Sequence, residues 1–260
     1  MNMIKNSIII IYGDDRKKNL FQMLRFLIKD NWVVENSELI VVAQNSEVDL
    51  FGFKEKKLIN CKDEKYRRNK MINKGVLESK GELLTILDSD RILPIRYIKN
   101  IYSFIQENQC VTTKNLWQME KEFSDEDIEK GNYSSRQDFR SEQNCQHKKG
   151  TFSGNTVLTK KCFLDCGLMD ESYVGYGYND IDCSRTMIKN KKEMIFLDDK
   201  ELHLFHEKKE SEEEVRISTV KNGIKYCKKW GLKPEDLLIQ NGRKVNIDVE
   251  KEIKKIIYFT

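Results

Sequence analysis

The stretch Leu83-Leu84-Thr85-Ile86-Leu87-Asp88-Ser89-Asp90 decides how this chain is read: an aliphatic run broken by one threonine leads straight into two carboxylates. Such a run is a strand buried on both faces, as crossover helices bury the strands of a parallel sheet. In an open α/β sheet, ligands bind beyond the carboxyl ends of the strands. Residues two apart on an extended segment share a side, so Asp88 and Asp90 are expected to meet one ligand together. Two hard oxygen donors at that place suit a divalent cation carrying a diphosphate. A solvated surface turn is the alternative for the same residues.

Upstream, short β-branched runs alternate with helical patterns. Residues 7–12 form one apolar run; Leu20, Met23, Leu24, Leu27 and Ile28 follow at helical spacing, and residues 38–43 form a second run. Residues 57–61 add a third strand, residues 67–79 a helix, and Pro94 opens a further helix over 95–106. The pattern predicts an α/β fold with an open, mostly parallel central sheet flanked by helices.

Downstream the chain changes character. Residues 120–150 are polar and read as a long loop with one short helix at 125–130, a stretch of the kind that forms a lid over a site. Residues 151–159 read as a strand and 161–166 as a short helix. Residues 212–230 and 249–259 have near-helical apolar spacing, which places two helices on the edge of the domain or against a partner.

Composition bounds the rest. At 260 residues, 39% hydrophobic and 10% aromatic, the chain can bury a sizeable core, which excludes a disulfide-dependent miniprotein and a disordered chain. Against 46 basic residues stand 42 acidic ones, and a net charge of +4 does not point to a nucleic-acid partner. No apolar stretch approaches the roughly 20 residues of a membrane span, and the isoleucine run near the start is too short for a signal peptide, so a cytoplasmic location is expected. Seven cysteines without CxxC spacing read as reduced thiols.

Two further motifs carry chemistry. Gly175-Tyr176-Gly177-Tyr178-Asn179-Asp180-Ile181-Asp182 leads into a helix over 183–189. Its glycines let backbone approach a ligand, its tyrosines offer flat faces to sugar rings, and a carboxylate at the helix start can act as a base. Simple capping of that helix by Asp180 or Asp182 is the competing reading. His203-Leu204-Phe205-His206 holds two of the three histidines, and both rings reach one metal only if the segment turns; on a straight strand they face opposite ways.

In this order, the motifs resemble those of nucleotide-sugar glycosyltransferases of the GT-A fold, especially β-1,4-galactosyltransferases and bacterial family 2 enzymes of the chondroitin polymerase type. Tyr66-Arg67-Arg68-Asn69-Lys70-Met71-Ile72-Asn73 looks like that family's donor-side segment. Asp88-Ser89-Asp90-Arg91-Ile92-Leu93-Pro94 looks like its metal-binding DxD motif, and Phe152-Ser153-Gly154-Asn155, residues 175–182 and His206 follow in the family's order.

The resemblance covers about residues 7–206. It implies a GT-A (Rossmann-like) domain over 1–208, with a nucleotide-binding half at about 1–118 and an acceptor and catalytic half at about 150–208. Residues 209–260 remain as a C-terminal helical extension. The implied activity is metal-dependent, inverting transfer of a sugar from a nucleotide-diphosphate sugar, a UDP-sugar in particular, to an acceptor hydroxyl in bacterial surface glycan or glycoconjugate synthesis.

By the same resemblance, Tyr12, Tyr66, Arg68, Asp88 and Asp90 contact the donor. Asp90 and His206 ligate the metal, and His203 stands where the galactosyltransferases have a methionine ligand. Carboxylate, imidazole and phosphate ligands favour Mn²⁺ over the harder Mg²⁺, which is the alternative. Asp180 stands at the base, with Tyr176, Gly177, Tyr178 and Asn179 lining the acceptor side. The acceptor is a glycan, a lipid-linked sugar or a peptide, and peripheral membrane contact is compatible with the second.

Three residues depart from the pattern: Asn179 replaces an acidic residue, Tyr178 a glycine, and Ala43-Gln44 a nucleotide-contacting aspartate. These bear on donor identity and acceptor geometry more than on reaction type. Two other classes compete with this reading. A sugar-nucleotide-forming nucleotidyltransferase carries a basic glycine-rich loop near its N-terminus, where this chain has the acidic Gly13-Asp14-Asp15. A non-catalytic nucleotide-sugar-binding module would lack the catalytic carboxylates, and Asp90 and Asp180 are both present.

Overall fold

The isoleucine run forms strand β1 (Asn6–Tyr12), buried along its whole length. The structure, a computed structural model, describes residues 4–13, 16–63, 65–139, 154–207 and 211–233. Parallel to β1 lie β2 (Ser37–Gln44) on one side, with β3 (Lys56–Cys61) beyond it, and β4 (Leu83–Asp88) on the other.

Strand alternation divides the β1 side chains between two faces. Ile8, Ile10 and Tyr12 meet Leu20, Met23, Leu24 and Leu27 of α1 (Lys17–Leu27) and Val33 of α2 (Asn31–Asn36). Ile9 and Ile11 meet Met71, Ile72 and Val76 of α3 (Arg68–Glu78). Each buried isoleucine contributes about 1.5–3 kcal/mol relative to exposure, so the run fixes the centre of the sheet.

The second half adds β5 (Arg91–Ile92), α4 (Tyr97–Phe104), β6 (Gln109–Met119), α5 (Asp125–Lys130), β7 (Ser135–Phe139) and β8 (Asn155–Thr159). It closes with α6 (Lys160–Asp165), α7 (Asn179–Lys189), β9 (Glu193–His203) and α8 (Glu212–Trp230). The strand order is β3-β2-β1-β4-β8-β6-β9-β5, with β7 paired to β6. The parallel arrangement holds from β3 to β4 and again between β6 and β9; β8 runs antiparallel to β4 and β6, β7 to β6, and β5 to β9. The sheet is therefore mixed. Between β6 and β7 the chain returns to the same edge without a crossover, and such a return gives an antiparallel neighbour.

β6 and β9 escape hydrophobic patterning because their buried positions include polar residues. Thr112 and Thr113 are fully buried. Thr112 Oγ1 donates to the Asn155 carbonyl at 2.7 Å, and Thr113 Oγ1 donates to the buried Glu201 carboxylate of β9.

The polar stretch 120–150 is more ordered than a loop over the part that is described. It contains α5 over the anticipated residues and β7, which was not anticipated. Ion pairs Lys18–Glu122, Arg25–Asp125 and Lys29–Glu129 tie it to α1, as do hydrogen bonds from Gln22 Nε2 to the Phe123 carbonyl (2.9 Å) and to Asp125 Oδ1 (2.8 Å). Residues 140–153, with Phe152 and Ser153 of the motif above, and the anticipated helix at 249–259 lie outside the described residues. No helix among the described residues is long and apolar enough to cross a membrane.

Candidate active site

Asp88 ends β4, and Ser89 and Asp90 form a buried turn into β5. Because the extended backbone stops at Asp88, the period-two expectation fails and the two carboxylates take different partners. Asp88 Oδ1 accepts from Nε and Nη2 of Arg68, both at 3.0 Å. Asp90, fully buried, turns toward the end of β9.

There the His203-to-His206 segment is neither a strand nor a helix throughout. His203 is the last residue of β9, in register with Arg91, and the chain then leaves the sheet. Leu204 N donates to the Asp90 carbonyl (2.9 Å), and Asn19 Nδ2 of α1 donates to the Phe205 carbonyl (2.9 Å), which fixes the turn. As a result Nε2 of His203 and Nε2 of His206 both lie 3.4 Å from Asp90 Oδ2. One carboxylate oxygen and two imidazole nitrogens lie within 4.8 Å of one another.

This cluster fits a divalent cation. Asp90 Oδ1 is buried without a hydrogen-bond partner, although Arg91 Nε stands 3.2 Å away. His206 Nδ1 lies 3.2 Å from the Glu207 carbonyl; a proton held there turns a lone pair at Nε2 toward Asp90, an arrangement that a cation between them stabilises. Burial lowers the His206 pKa below its ordinary value, and the charge of Arg16 lowers it further while Asp90 opposes. For Asp90, burial alone would raise the pKa. The His203 hydrogen bond and the charges of Arg91 and Arg16 prevail and hold the carboxyl well below the usual carboxylate range.

Sequence reading missed the surroundings of Asp90. Arg16, just before α1, pairs through Nη1 with Asp90 Oδ2. Arg91 pairs with Asp90 on one side and with Glu201 Oε1 (3.4 Å) on the other. Gly154 sits at φ +66°, and a Cβ there would lie 2.8 Å from the Arg91 guanidinium; its carbonyl accepts from Asp88 N at 2.8 Å. The signal for Arg16 was available: Arg16, Lys17 and Lys18 crowd the start of α1, where the helix dipole disfavours cations and the first turn holds no acidic residue.

The other anticipated residues fall as follows. Arg68 Nη1 donates to Asp180 Oδ1 at 2.7 Å, so one guanidinium joins the DxD turn to the start of α7. Burial opposes the charge on Arg68, but Asp88 and Asp180 prevail and raise its pKa. The N-cap of α7 is Tyr178, in the left-handed region at φ +65°, with Asn179 and Asp180 in the first turn. Tyr66 packs against the α3 face of the core and its carbonyl accepts from Gly175 N at 3.1 Å; burial raises its phenol pKa, and Asp88 adds to the effect. Tyr12 is buried in the α1 face of the core at the end of β1. Tyr176 is 61% exposed.

Asp182 does something else. Its buried carboxylate accepts from Lys229 Nζ and Trp230 Nε1 of α8, both at 2.7 Å. α8 also holds the backbone of the tyrosine-rich turn. Asn222 Nδ2 donates to the carbonyls of Val174 (3.0 Å) and Tyr176 (2.9 Å), and Ser218 Oγ accepts from Tyr176 N (3.2 Å). Gly177, at φ +93°, lets that turn pass α8, since a Cβ there would stand 3.2 Å from Thr219.

No family model and no curated protein sequence matches the chain. Solved structures do. GalNAc-T7 with UDP, GalNAc and Mn²⁺ superposes with a TM-score of 0.60 over 90% of this chain and 49% of that one, at 13% identity. TarS 1-349 of S. aureus in complex with UDP-GlcNAc gives a TM-score of 0.56 over 85% of this chain and 66% of that one, at 15% identity. This chain thus spans about half of the first structure and just under two thirds of the second. Together with a sheet whose central strand ends in the carboxylate turn, these likenesses show that the chain has the GT-A fold.

Proposed function

We propose that the chain is a metal-dependent, inverting glycosyltransferase that moves a sugar from a nucleotide-diphosphate sugar, a UDP-sugar first, to an acceptor hydroxyl. One observation carries the reading: His203 and His206 converge on the buried Asp90 at the end of a central GT-A strand, beside the Arg68 that joins Asp88 to Asp180. The solved neighbours with UDP and with UDP-GlcNAc support the donor class.

Asp90, His203 and His206 would hold the cation, and their mixed oxygen and nitrogen donors favour Mn²⁺ over Mg²⁺. The bound cation would supply charge neutralisation for the departing diphosphate. Arg68 pairs with Asp88 and Asp180 and orients both, Tyr66 and Tyr12 belong to the donor side, and Asp180 takes the proton of the attacking hydroxyl. The exposed Tyr176 offers its ring to the acceptor sugar, with Gly177, Tyr178 and Asn179 shaping the same turn. Direct displacement from the opposite face inverts the anomeric carbon.

On this reading, residues 1–118 serve the nucleotide and 150–208 the acceptor, and α8 is fastened to the second part. The acceptor is a glycan, a lipid-linked sugar or a peptide, of the kind used in surface glycan assembly. No disulfide joins the six described cysteines, which is in keeping with a reducing compartment such as the cytoplasm.

The test is a panel of nucleotide sugars incubated with the purified protein and Mn²⁺, with nucleoside diphosphate release as the readout. Release from one or a few donors is expected, lost on chelation and in Asp90→Asn. Absence of release from every donor, or full release by Asp90→Asn, overturns the reading.

A further inference from the structure

Resting on the metal reading above, we infer that the buried pair Arg91–Glu201 positions Asp90 in the metal centre: Glu201 anchors Arg91, and Arg91 holds one oxygen of Asp90 so that the other is presented to the cation. The two oxygens of Asp90 face different partners. Oδ1 lies 3.2 Å from Arg91 Nε, whereas Oδ2 meets Nε2 of His203 and of His206, each at 3.4 Å, and the partly exposed Arg16. Strand pairing sets this up. Arg91 of β5 is in register with His203, and Glu201 lies two residues earlier on β9, on the same face as His203. From that diagonal position Glu201 Oε1 reaches Arg91 Nη1 at 3.4 Å. Glu201 is itself fixed, since its carboxylate accepts from Thr113 Oγ1 of β6 and, at 3.3 Å, from Asn155 Nδ2 of β8. Gly154, next to Asn155, brings bare backbone against the Arg91 guanidinium.

Stability does not account for this pair. Glu201 is fully buried and the Arg91 side chain is 10% exposed, and a buried ion pair adds little over apolar side chains of similar volume, because desolvation offsets the attraction. Hydrogen bonding does not account for it either. Arg91 Nε and Nη1 and Asp90 Oδ1 are buried without a hydrogen-bond partner, so the chain from Glu201 through Arg91 to Asp90 is one of charge, which acts strongly where water is excluded. Its use is alignment. A guanidinium left to itself takes both oxygens of a carboxylate in a fork. Glu201 draws Arg91 to its own side, which restricts Arg91 to Oδ1 and leaves Oδ2 turned toward the two imidazoles. The Glu201 charge also offsets that of Arg91 beside the place of the cation.

Mn²⁺ titrated into the wild type, Arg91→Lys, Glu201→Gln, the double variant and Asp90→Asn, followed by electron paramagnetic resonance, tests this, with circular dichroism and thermal melting to follow folding. Arg91→Lys keeps the charge and loses the planar fork that spans Asp90 and Glu201. Glu201→Gln keeps the shape and an oxygen for Thr113. Loss of a residue that orients a metal ligand lowers affinity by about 10–100-fold. Each single variant is therefore expected to bind Mn²⁺ at least about tenfold more weakly and to alter the spectrum of the bound ion at saturation. The double variant is expected to be no weaker than the weaker single, because both substitutions break one chain. A melting temperature that falls while affinity and spectrum stay at the wild-type level shows a purely structural pair and overturns the inference; loss of Mn²⁺ binding in Asp90→Asn then leaves the metal reading standing. Full additivity in the double variant also overturns it, since Glu201 then acts on the cation by its own charge. Should Glu201→Gln not fold, Arg91→Lys decides alone, and wild-type affinity and spectrum there overturn the inference. Wild-type Mn²⁺ binding by Asp90→Asn overturns the metal reading, and the inference with it.

Discussion

Arg68 and Asp180, 112 residues apart in sequence, are joined by a 2.7 Å hydrogen bond from Nη1 to Oδ1, while the same guanidinium grips Asp88 through two further bonds of 3.0 Å. A single arginine thus sets the distance between the carboxylate turn that ends β4 and the carboxylate that opens α7. Without it, two anions would face each other across the site.

Arg68→Met should therefore cost stability as well as function. Removing the arginine leaves two part-buried carboxylates without their shared partner, a loss of about 1–3 kcal/mol. Urea unfolding measures it, and the double variant Arg68→Met with Asp180→Asn should recover part of the loss. Strict additivity of the two substitutions would show that the residues are not coupled.

Asp180→Asn keeps the shape of the side chain and a hydrogen bond with Arg68. Turnover should fall by roughly 10² to 10⁴ with nucleotide binding nearly intact, as for loss of a base that acts on the acceptor. NMR of the wild-type product should show the anomeric configuration opposite to that of the donor. Near-normal turnover in this variant, or a retained configuration in the product, would remove Asp180 from the mechanism.

Gly154→Ala places a methyl group 2.8 Å from the Arg91 guanidinium at a φ of +66°, which non-glycine residues adopt at a cost. The expected destabilisation is about 1–3 kcal/mol, with the Arg91 contact to Asp90 displaced. Thermal melting checks the first part. Mn²⁺ titration checks the second, and a melting temperature equal to that of the wild type would contradict the strain argument.

Asn222→Ala removes both side-chain donors that hold the carbonyls of Val174 and Tyr176. Hydrogen exchange should speed up for residues 174–177, with a stability loss of about 1–3 kcal/mol from two lost hydrogen bonds worth about 0.5–1.5 kcal/mol each. Nucleotide affinity should be unchanged, because these bonds hold the turn at Val174 and Tyr176 and not the Asp90 cluster. Unaltered exchange in that turn would deny α8 its clamping role.

Burial pushes the Cys162 thiol up to about 11 and those of Cys110 and Cys183 well above their ordinary value of 9.0. A raised thiol pKa favours the protonated folded state, so this contribution is full below pH 9.0 and is lost as pH climbs toward about 11. Site-resolved mass spectrometry after brief alkylation at mildly alkaline pH should find these three unmodified in the native protein and modified after unfolding. Rapid native labelling of Cys162 would contradict its burial.

Much of the N-terminal half was legible because its strands are buried on both faces. The aliphatic runs at 7–12, 38–43 and 83–87 can lie only at the centre of a helix-covered sheet, and the carboxylates after the last of them fall at the ligand-binding edge for the same reason. Helix α8 matched its expected residues because its apolar spacing and the Ser211–Glu214 capping box are both local signals. β6 was invisible, since Thr112 and Thr113 are buried through hydrogen bonds to residues 43 and 88 positions away and leave no apolar pattern.

The sequence alone determined that this chain would build a sheet ending in carboxylates, with acidic and imidazole groups farther along. Only the tertiary structure decided which of them meet. Asp88 and Asp90 are two residues apart yet face different partners, because the strand ends between them. His203 and His206 share one oxygen because the chain turns off β9. Arg16 and Arg68 sit among the acids because α1 and α3 start where β4 stops. Local propensity acts over a few residues, whereas ion pairs spanning 74 and 112 residues depend on how the sheet brings its loops to one edge.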